Sequence, residues 1–202
     1  MKDDLKKFSY SQDEQKLIDK ALLQEKPWQV DETKPIRDKI HAFHHKLTDE
    51  LCCYCQANQH GEFKLDIDPE HILPASKYKH YSFTIWNLSV ACKRCNMLIK
   101  RSRTDFINKK FLQEDSSNHY KFIHPNFDDF EKHMEITVQQ KGRKRIVKYL
   151  VYSKDKGQYT FEYFRLAELE INNFNKAQGI KTAPLDSNAV EEVKELAFNK
   201  NI

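Results

Sequence analysis

The chain contains 202 residues, of which 39% are hydrophobic, 32% charged and 12% aromatic. This length fits one large domain, or a small domain with flanking segments, and the aromatic content excludes an intrinsically disordered chain. A membrane-spanning helix requires about 18 consecutive apolar residues, and no run in the sequence is that long. The N-terminal residues lack the apolar core of a secretory signal. We therefore expect a soluble, cytoplasmic protein with no membrane partner.

The net charge of +4 is distributed unevenly along the chain. Residues 1–50 have a net charge of −1 and residues 161–202 of −2, whereas residues 51–160 have a net charge of +7. A basic excess confined to one region favours a polyanionic partner, although a solvated basic surface is an equal alternative. The same region contains all five cysteines.

Residues 1–50 are predicted to form an N-terminal helical region. Ser11 and Glu14 have the spacing of a capping box, in which each side chain accepts a hydrogen bond from the backbone of the other residue. A second helix is predicted from Pro35, a favourable first-turn residue, to Leu51. By the helical period, the apolar faces contain Leu17, Ile18, Ala21 and Leu22 in the first helix, and Ile36, Ile40, Phe43 and Leu47 in the second.

Two C-x2-C pairs predict a structural zinc ion. Cys52 and Cys55 form the first pair, and Cys92 and Cys95 form the second. Four thiolates from two such turns complete the tetrahedral shell that structural zinc prefers, and a cytoplasmic location disfavours disulfides. Buried free thiols are the alternative interpretation. Cys53 is left over, and because C-x-C spacing makes a poorer zinc-binding turn, we interpret it as a packing residue.

The 36 residues between the two pairs exceed the spacing of a simple zinc ribbon. A neutral histidine accepts a proton from water near pH 7, and a hard divalent cation takes oxygen ligands. His71 supplies such a base, Glu70 a carboxylate beside it, and Asn96 an amide oxygen directly after the second cysteine pair. These residue types suit the hydrolysis of a phosphodiester, with zinc fixing the two halves of the site relative to each other.

The pattern E-H-I-L-P at 70–74, W-N-L at 86–88 and C-K-R-C-N-x-x-x-K at 92–100 resembles the HNH endonucleases, also called His-Me finger or ββα-metal nucleases. The resemblance covers about residues 51–101 and is strongest to the subgroup with a four-cysteine zinc site. It implies that His71 is the general base and that Glu70 and Asn96 ligate one catalytic Mg²⁺ or Mn²⁺ ion. It also implies that Asn87 ties the loop backbone and orients the His71 strand, and that DNA is cut to a 5′-phosphate and a 3′-hydroxyl.

Several of these assignments have alternatives. Glu70 departs from the commoner Asp of the family, and Asp68 lies two residues earlier, on the same face of a continuous strand. Asp68 is therefore an alternative or additional metal ligand. The alternative interpretation of Asn96 is a helix cap. The alternative interpretation of Asn87 is an ordinary turn residue.

Clustered Lys and Arg side chains are the expected contacts to phosphates, with solvated surface as the alternative. One cluster lies on or just after the predicted Asn96 helix, and the other at the tip of a predicted hairpin. The clusters consist of Lys93, Arg94, Lys100, Arg101 and Arg103, and of Arg143, Lys144 and Arg145.

Residues 105–202 are predicted to form an accessory α+β region. Alternating apolar residues between 135 and 163 indicate two or three antiparallel strands, with turns at Lys141-Gly142 and Lys156-Gly157. Helices are predicted at 162–178 and 187–199. The expected fold class is thus α+β: a zinc-braced ββα nuclease core at 51–104, preceded by the helices of 1–50 and followed by a β-hairpin with helices.

The resemblance also implies a biological role. A compact core with long flanks is similar to the HNH effectors of bacterial anti-phage systems, such as Septu-like or retron-associated nucleases, which work with an ATPase partner. A solitary HNH core cuts one strand, so double-strand cleavage would imply a homodimer or paired nicks. Two other functions fit the same residues: a non-catalytic zinc module that binds nucleic acid or protein, and an RNA-directed nuclease.

Overall fold

A computed structural model describes residues 3–61 and 67–172 of the chain. The fold is a mixture of α and β, as predicted. The helices are α1 (Gln12–Leu22), α2 (Lys34–Leu47), α3 (Lys156–Tyr163) and a π-helix (Arg94–Lys100), with short 3-10 turns between them. The strands are β1 (Ile67–His71), β2 (Leu88–Cys92), β3 (Met134–Lys141), β4 (Lys144–Val151) and β5 (Ile171–Asn172).

The two N-terminal helices form as the sequence predicts. The Ser11 hydroxyl accepts from the Glu14 backbone N–H at 3.2 Å, and the Glu14 carboxylate accepts from the Ser11 N–H at 2.7 Å, which confirms the capping box at the start of α1. The end of α2 was predicted too late, because Asp49 and Glu50 have positive φ angles of 50° and 58° and turn the chain out of the helix. The helices share a buried cluster with the β1–β2 region, made of Ile18, Ala21, Ile36, Ile40, Phe83 and Leu88.

His44 lies on α2 with 0% exposure, and burial lowers the pKa of its imidazole to about 3, with a smaller contribution from His41. The unfolded chain binds this proton near pH 6.5. The stability that the neutral ring contributes is therefore complete above that pH and is lost as the pH falls towards 3. The wild-type protein should lose part of its free energy of unfolding between pH 7 and pH 5. In His44→Leu this loss should be smaller by roughly 2 kcal/mol, as measured by urea unfolding at each pH. An unchanged pH dependence would contradict the assignment.

The cysteine region is built on an antiparallel strand pair. β1 pairs with β2 in a register that sets Ile67 opposite Cys92 and His71 opposite Leu88. The π-helix begins two residues after β2 ends, so the second cysteine pair lies at the junction between strand and helix. Along the chain, the strand that carries His71 therefore precedes β2, and the helix that carries Asn96 follows it.

The C-terminal region adds a three-stranded antiparallel sheet with the order β3-β4-β5. The predicted turn at Lys141-Gly142 is confirmed, and Gly142 takes a φ of 60°, which glycine adopts without strain. Buried side chains of this region, including Tyr149 and Phe164, belong to the same core cluster as Cys52, Cys55 and Cys95, and Cys92 packs against that cluster. The C-terminal region therefore covers the cysteine region.

The predicted turn at Lys156-Gly157, with a strand after it, is wrong, because α3 begins there. The Asp155 carboxylate caps the Lys156 N–H at 2.6 Å. Gly157 lies so close to its neighbours that a Cβ would be 2.6 Å from the carbonyl oxygen of His133. The predicted helix 162–178 is only partly present: α3 ends at Tyr163, a 3-10 turn and β5 follow, and 173–178 lies outside the described residues, as does the helix predicted at 187–199.

In residues 3–61 and 67–172, none of the helices combines the length and the apolar character needed to cross a membrane.

Candidate zinc centre and His71 site

The four cysteines of the two C-x2-C pairs come together in the structure. The sulfur atoms of Cys52, Cys55, Cys92 and Cys95 all lie within 4.8 Å of one another, and the Cys55 and Cys92 sulfurs are 3.8 Å apart. Four thiolates at the usual Zn–S bond length would be separated by roughly 3.8 Å around a tetrahedral ion. The donor set therefore fits one structural zinc ion.

The backbone around the cysteines supports this assignment, and Cys53 does not belong to the group of four sulfurs. The Cys92 N–H donates to the Cys52 sulfur at 3.3 Å, a contact that favours a thiolate. The Cys53 N–H donates to the Val90 carbonyl at 3.0 Å and ties the first pair to β2. The Cys53 side chain is buried, and burial raises the pKa of its thiol well above the usual value, which suits a packing residue.

Glu70, at the end of β1, is engaged in a buried network. Its carboxylate lies 2.6 Å from the ammonium of Lys100 and accepts from the Tyr54 hydroxyl at 2.9 Å. Glu70 and Lys100 are each 1% exposed. Burial raises the pKa of the Glu70 carboxyl, opposed by Lys100 and reinforced by the nearby charge of Asp68. The network joins the first cysteine pair, β1 and the π-helix.

The π-helix explains why Lys100 is buried. In a π-helix the backbone hydrogen bonds connect residues five apart, as in the 2.7 Å bond from the Arg101 N–H to the Asn96 carbonyl. Residues five apart therefore share a face, and Lys100 lies on the same buried side as Cys95. The prediction that Lys100 contacts phosphate is wrong, since its ammonium is inside the protein and also donates to the His71 carbonyl at 2.7 Å.

The Glu70 network bears directly on the catalytic divalent ion. The predicted ligands were Glu70 and Asn96, with Asp68 as an alternative. The cation that neutralises Glu70 in this structure is an ammonium group, and the carboxylate is closed to solvent. Asn96 lies half-buried on the π-helix, and Asp68 half-buried on β1. A catalytic Mg²⁺ or Mn²⁺ ion at Glu70 does not fit this arrangement.

His71 is held in one tautomer by the loop that follows β1. Its Nε2 lies 3.0 Å from the carbonyl oxygen of Ser82. A carbonyl only accepts, so Nε2 carries the hydrogen and Nδ1 keeps a lone pair. Burial lowers the pKa of His71 to about 4, so the ring is neutral at pH 7. The Trp28 ring packs edge-on against it, with ring centroids 4.6 Å apart.

Asn87 clamps the same loop from the inside. It is 0% exposed. Its side-chain oxygen accepts from the Leu73 N–H at 2.7 Å, and its amide donates to the carbonyls of Leu73 at 3.1 Å and Tyr81 at 3.3 Å. These bonds join the segment after His71 to the segment before β2. The geometry is the loop-tying arrangement expected of Asn87, and it holds the carbonyl of Ser82 against His71.

Two further cations that were predicted to contact phosphates bind other residues of this chain. Arg94 donates to the carbonyls of Phe164 and Arg165 and to the carboxylate of Glu168, each at 2.9 Å, so it anchors the C-terminal region. Arg103 pairs with Asp105 and lies 4.6 Å from the ring centroid of Tyr163. Arg103 nevertheless stays exposed, and the other predicted phosphate contacts on the surface are Lys93, Arg101, Arg143, Lys144 and Arg145.

Three contacts of the site were missed by sequence reasoning. Trp28 and Ser82 reach His71 from 43 and 11 residues away, and Tyr54 reaches Glu70 from 16 residues away. A lone Trp in a polar segment was the one sequence signal for Trp28. The role of the Ser82 carbonyl leaves no signal in the sequence, because every residue has a backbone carbonyl.

A scan against models of protein families and searches of curated proteins and of solved structures found no match to this chain.

Proposed function

We propose that the chain is a zinc-braced phosphodiester hydrolase of the HNH type that acts on DNA, with His71 as its general base. The observation that carries this proposal is the 3.0 Å contact between His71 Nε2 and the Ser82 carbonyl. That contact leaves Nδ1 as the proton acceptor of a neutral imidazole, which is what activation of a water molecule requires.

The neighbouring residues support the proposal by fixing the position of His71. β1 carries the backbone of His71, Lys100 binds its carbonyl oxygen, and Asn87 holds the loop that binds its ring. The strand pair followed by a helix and braced by cysteines has the element order of a ββα nuclease core. A base held on rigid elements keeps its geometry in the transition state.

In the proposed reaction, Nδ1 of His71 takes a proton from water as the water oxygen forms a bond to phosphorus. The bond from phosphorus to the leaving alkoxide then breaks, and solvent protonates the alkoxide. The surface cations Lys93 and Arg101 flank the π-helix and supply positive charge for the phosphate backbone. The proposed reaction uses no divalent ion at Glu70, because the Glu70 carboxylate is paired with Lys100.

The test is nicking of supercoiled plasmid DNA by wild type and His71→Ala, each with EDTA and with added Mg²⁺ or Mn²⁺. Loss of a general base is expected to reduce cleavage at least about 100-fold. The matched control is His60→Ala, an exposed histidine paired with Glu50 on the surface, which is expected to cleave as wild type does. Equal cleavage by wild type and His71→Ala would refute the proposal.

Two other outcomes correspond to the competing functions. DNA binding without cleavage under every ion condition would identify a non-catalytic zinc module instead of an enzyme. Cleavage of RNA but not of DNA in the same panel would identify an RNA-directed nuclease. The EDTA arm decides separately whether a divalent ion is required, since a four-thiolate zinc ion is held far more tightly than Mg²⁺.

A further inference from the structure

The loop that orients His71 combines cations and aromatic rings. Between Pro74 and Ser82 the chain reads Lys77-Tyr78-Lys79-His80-Tyr81, which we call the 77–81 loop. Lys77, Lys79 and His80 are exposed, and the two tyrosines are half-buried. None of these residues belongs to the basic clusters that the sequence singled out.

The backbone of the 77–81 loop is fixed by its own hydrogen bonds. The N–H groups of Lys77 and Tyr78 both donate to the Pro74 carbonyl at 2.9 Å, and the Tyr81 N–H donates to the Tyr78 carbonyl at 2.9 Å. Asn87 binds the Tyr81 carbonyl from inside the protein. The loop therefore presents its side chains on a rigid frame, which reduces the conformational entropy lost on binding.

The rings of the loop are grouped instead of scattered. The His80 and Tyr81 ring centroids are 4.0 Å apart, and those of Tyr78 and His80 are 6.4 Å apart. Tyr81 packs in turn on Trp86, at 4.7 Å, and so connects the surface rings to the interior. Tyr81 is the half-buried support of this group, while His80 is its exposed member.

We propose that the 77–81 loop is a stacking platform for an unpaired nucleic-acid strand, in which bases stack on His80 and Tyr78 and phosphates contact Lys77 and Lys79. Aromatic rings reach the faces of bases only where the bases are unstacked from a duplex. The link from this loop to His71 through Ser82 places the platform beside the proposed general base. The delivery of the strand to His71 rests on the proposed function, whereas strand binding itself does not.

The acidic groups near the platform are compatible with this role. The Tyr81 hydroxyl donates to the carboxylate of Glu114, which raises the pKa of Tyr81 to about 12, with smaller contributions from burial and from the charge of Asp115. Burial and then the charge of Glu114 also raise the pKa of Tyr78. A hydrogen bond to a phenol lies near the plane of the ring. Glu114 therefore contacts the edge of Tyr81 and leaves the ring faces to other contacts.

The test measures binding in a His71→Ala background, so that cleavage does not interfere. Fluorescence anisotropy compares a labelled poly-dT strand with a duplex of mixed sequence. Removal of one stacking ring is expected to weaken single-strand binding about fivefold or more, so His80→Ala and Tyr78→Ala should each show this loss. Duplex binding should change by less than about twofold, since the rings do not reach stacked bases. The matched control is Tyr152→Ala, a tyrosine that is 54% exposed near the end of β4.

A ring-preserving variant separates stacking from misfolding. His80→Phe is expected to retain single-strand binding, because phenylalanine also offers a stacking face. Equal losses on both ligands, no loss in either alanine variant, or a loss in His80→Phe as large as in His80→Ala would each overturn the platform. Because binding is measured without catalysis, failure of the nuclease proposal would show as absent cleavage while the binding comparison still decides the platform.

Discussion

Replacing Cys55 with serine is expected to abolish the stable fold of residues around the two cysteine pairs. The four sulfurs lie within 4.8 Å of one another, in or directly against a core cluster that contains Tyr149 and Phe164. Zinc bound to such a site contributes about 10–16 kcal/mol to the folding of small zinc domains, which is comparable with the whole stability of a typical domain, about 5–15 kcal/mol. The chain is therefore not expected to compensate for the loss of one ligand.

The measurement pairs metal content with unfolding. Wild type should release one zinc ion per chain when a thiol reagent is added, detected with a colorimetric chelator, and Cys55→Ser should purify with little zinc and a lost or greatly lowered thermal transition. The matched control is Cys53→Ala, a buried cysteine outside the shell, which should keep its zinc and lose at most a few kcal/mol. A stable, zinc-free Cys55→Ser protein would show that the thiols are packing residues only.

Local patterns carried the correct part of the sequence prediction. The capping box at Ser11, the four-cysteine set and the hairpin turn at Gly142 each depend on residues whose spacing fixes the geometry. The choice of Cys52 over Cys53 also followed from spacing. Asn87 was placed from the resemblance, and its bonds to Leu73 have the geometry that the resemblance implied.

The errors arose where long-range contacts decide the role of a side chain. Arg94 looks like a surface cation in the sequence, yet its partners lie 70 to 74 residues further along the chain. Lys100 belongs to the basic cluster of the predicted Asn96 helix, but π-helical winding turns it towards Glu70. Neither the winding nor the pairing leaves a local signal, because helical period and charge describe one segment at a time.

Removal of Lys100 from the Glu70–Lys100 pair is expected to cause the second large loss of stability. Lys100→Met is expected to lower the free energy of unfolding by about 3–5 kcal/mol, because it leaves a buried carboxylate without its cation. Burial already raises the pKa of Glu70, and loss of Lys100 raises it further. A carboxyl with a raised folded pKa destabilises the fold increasingly as the pH rises above its unfolded pKa. The difference in unfolding free energy between wild type and Lys100→Met should therefore become smaller when the pH is lowered towards 4.5, the ordinary pKa of Glu.

Urea unfolding of a double-mutant cycle tests the pair. Glu70→Gln removes the charge that Lys100 compensates, so the double variant should lose less stability than the two single variants together. Lys93→Met is the control, since Lys93 is exposed beside the same helix and its replacement should change stability by at most about 0.5 kcal/mol. If Lys100→Met behaves like Lys93→Met, Lys100 is a surface cation. That result would restore Glu70 as a candidate ligand of a divalent ion, as the resemblance implied, and the cleavage reaction should then depend on such an ion.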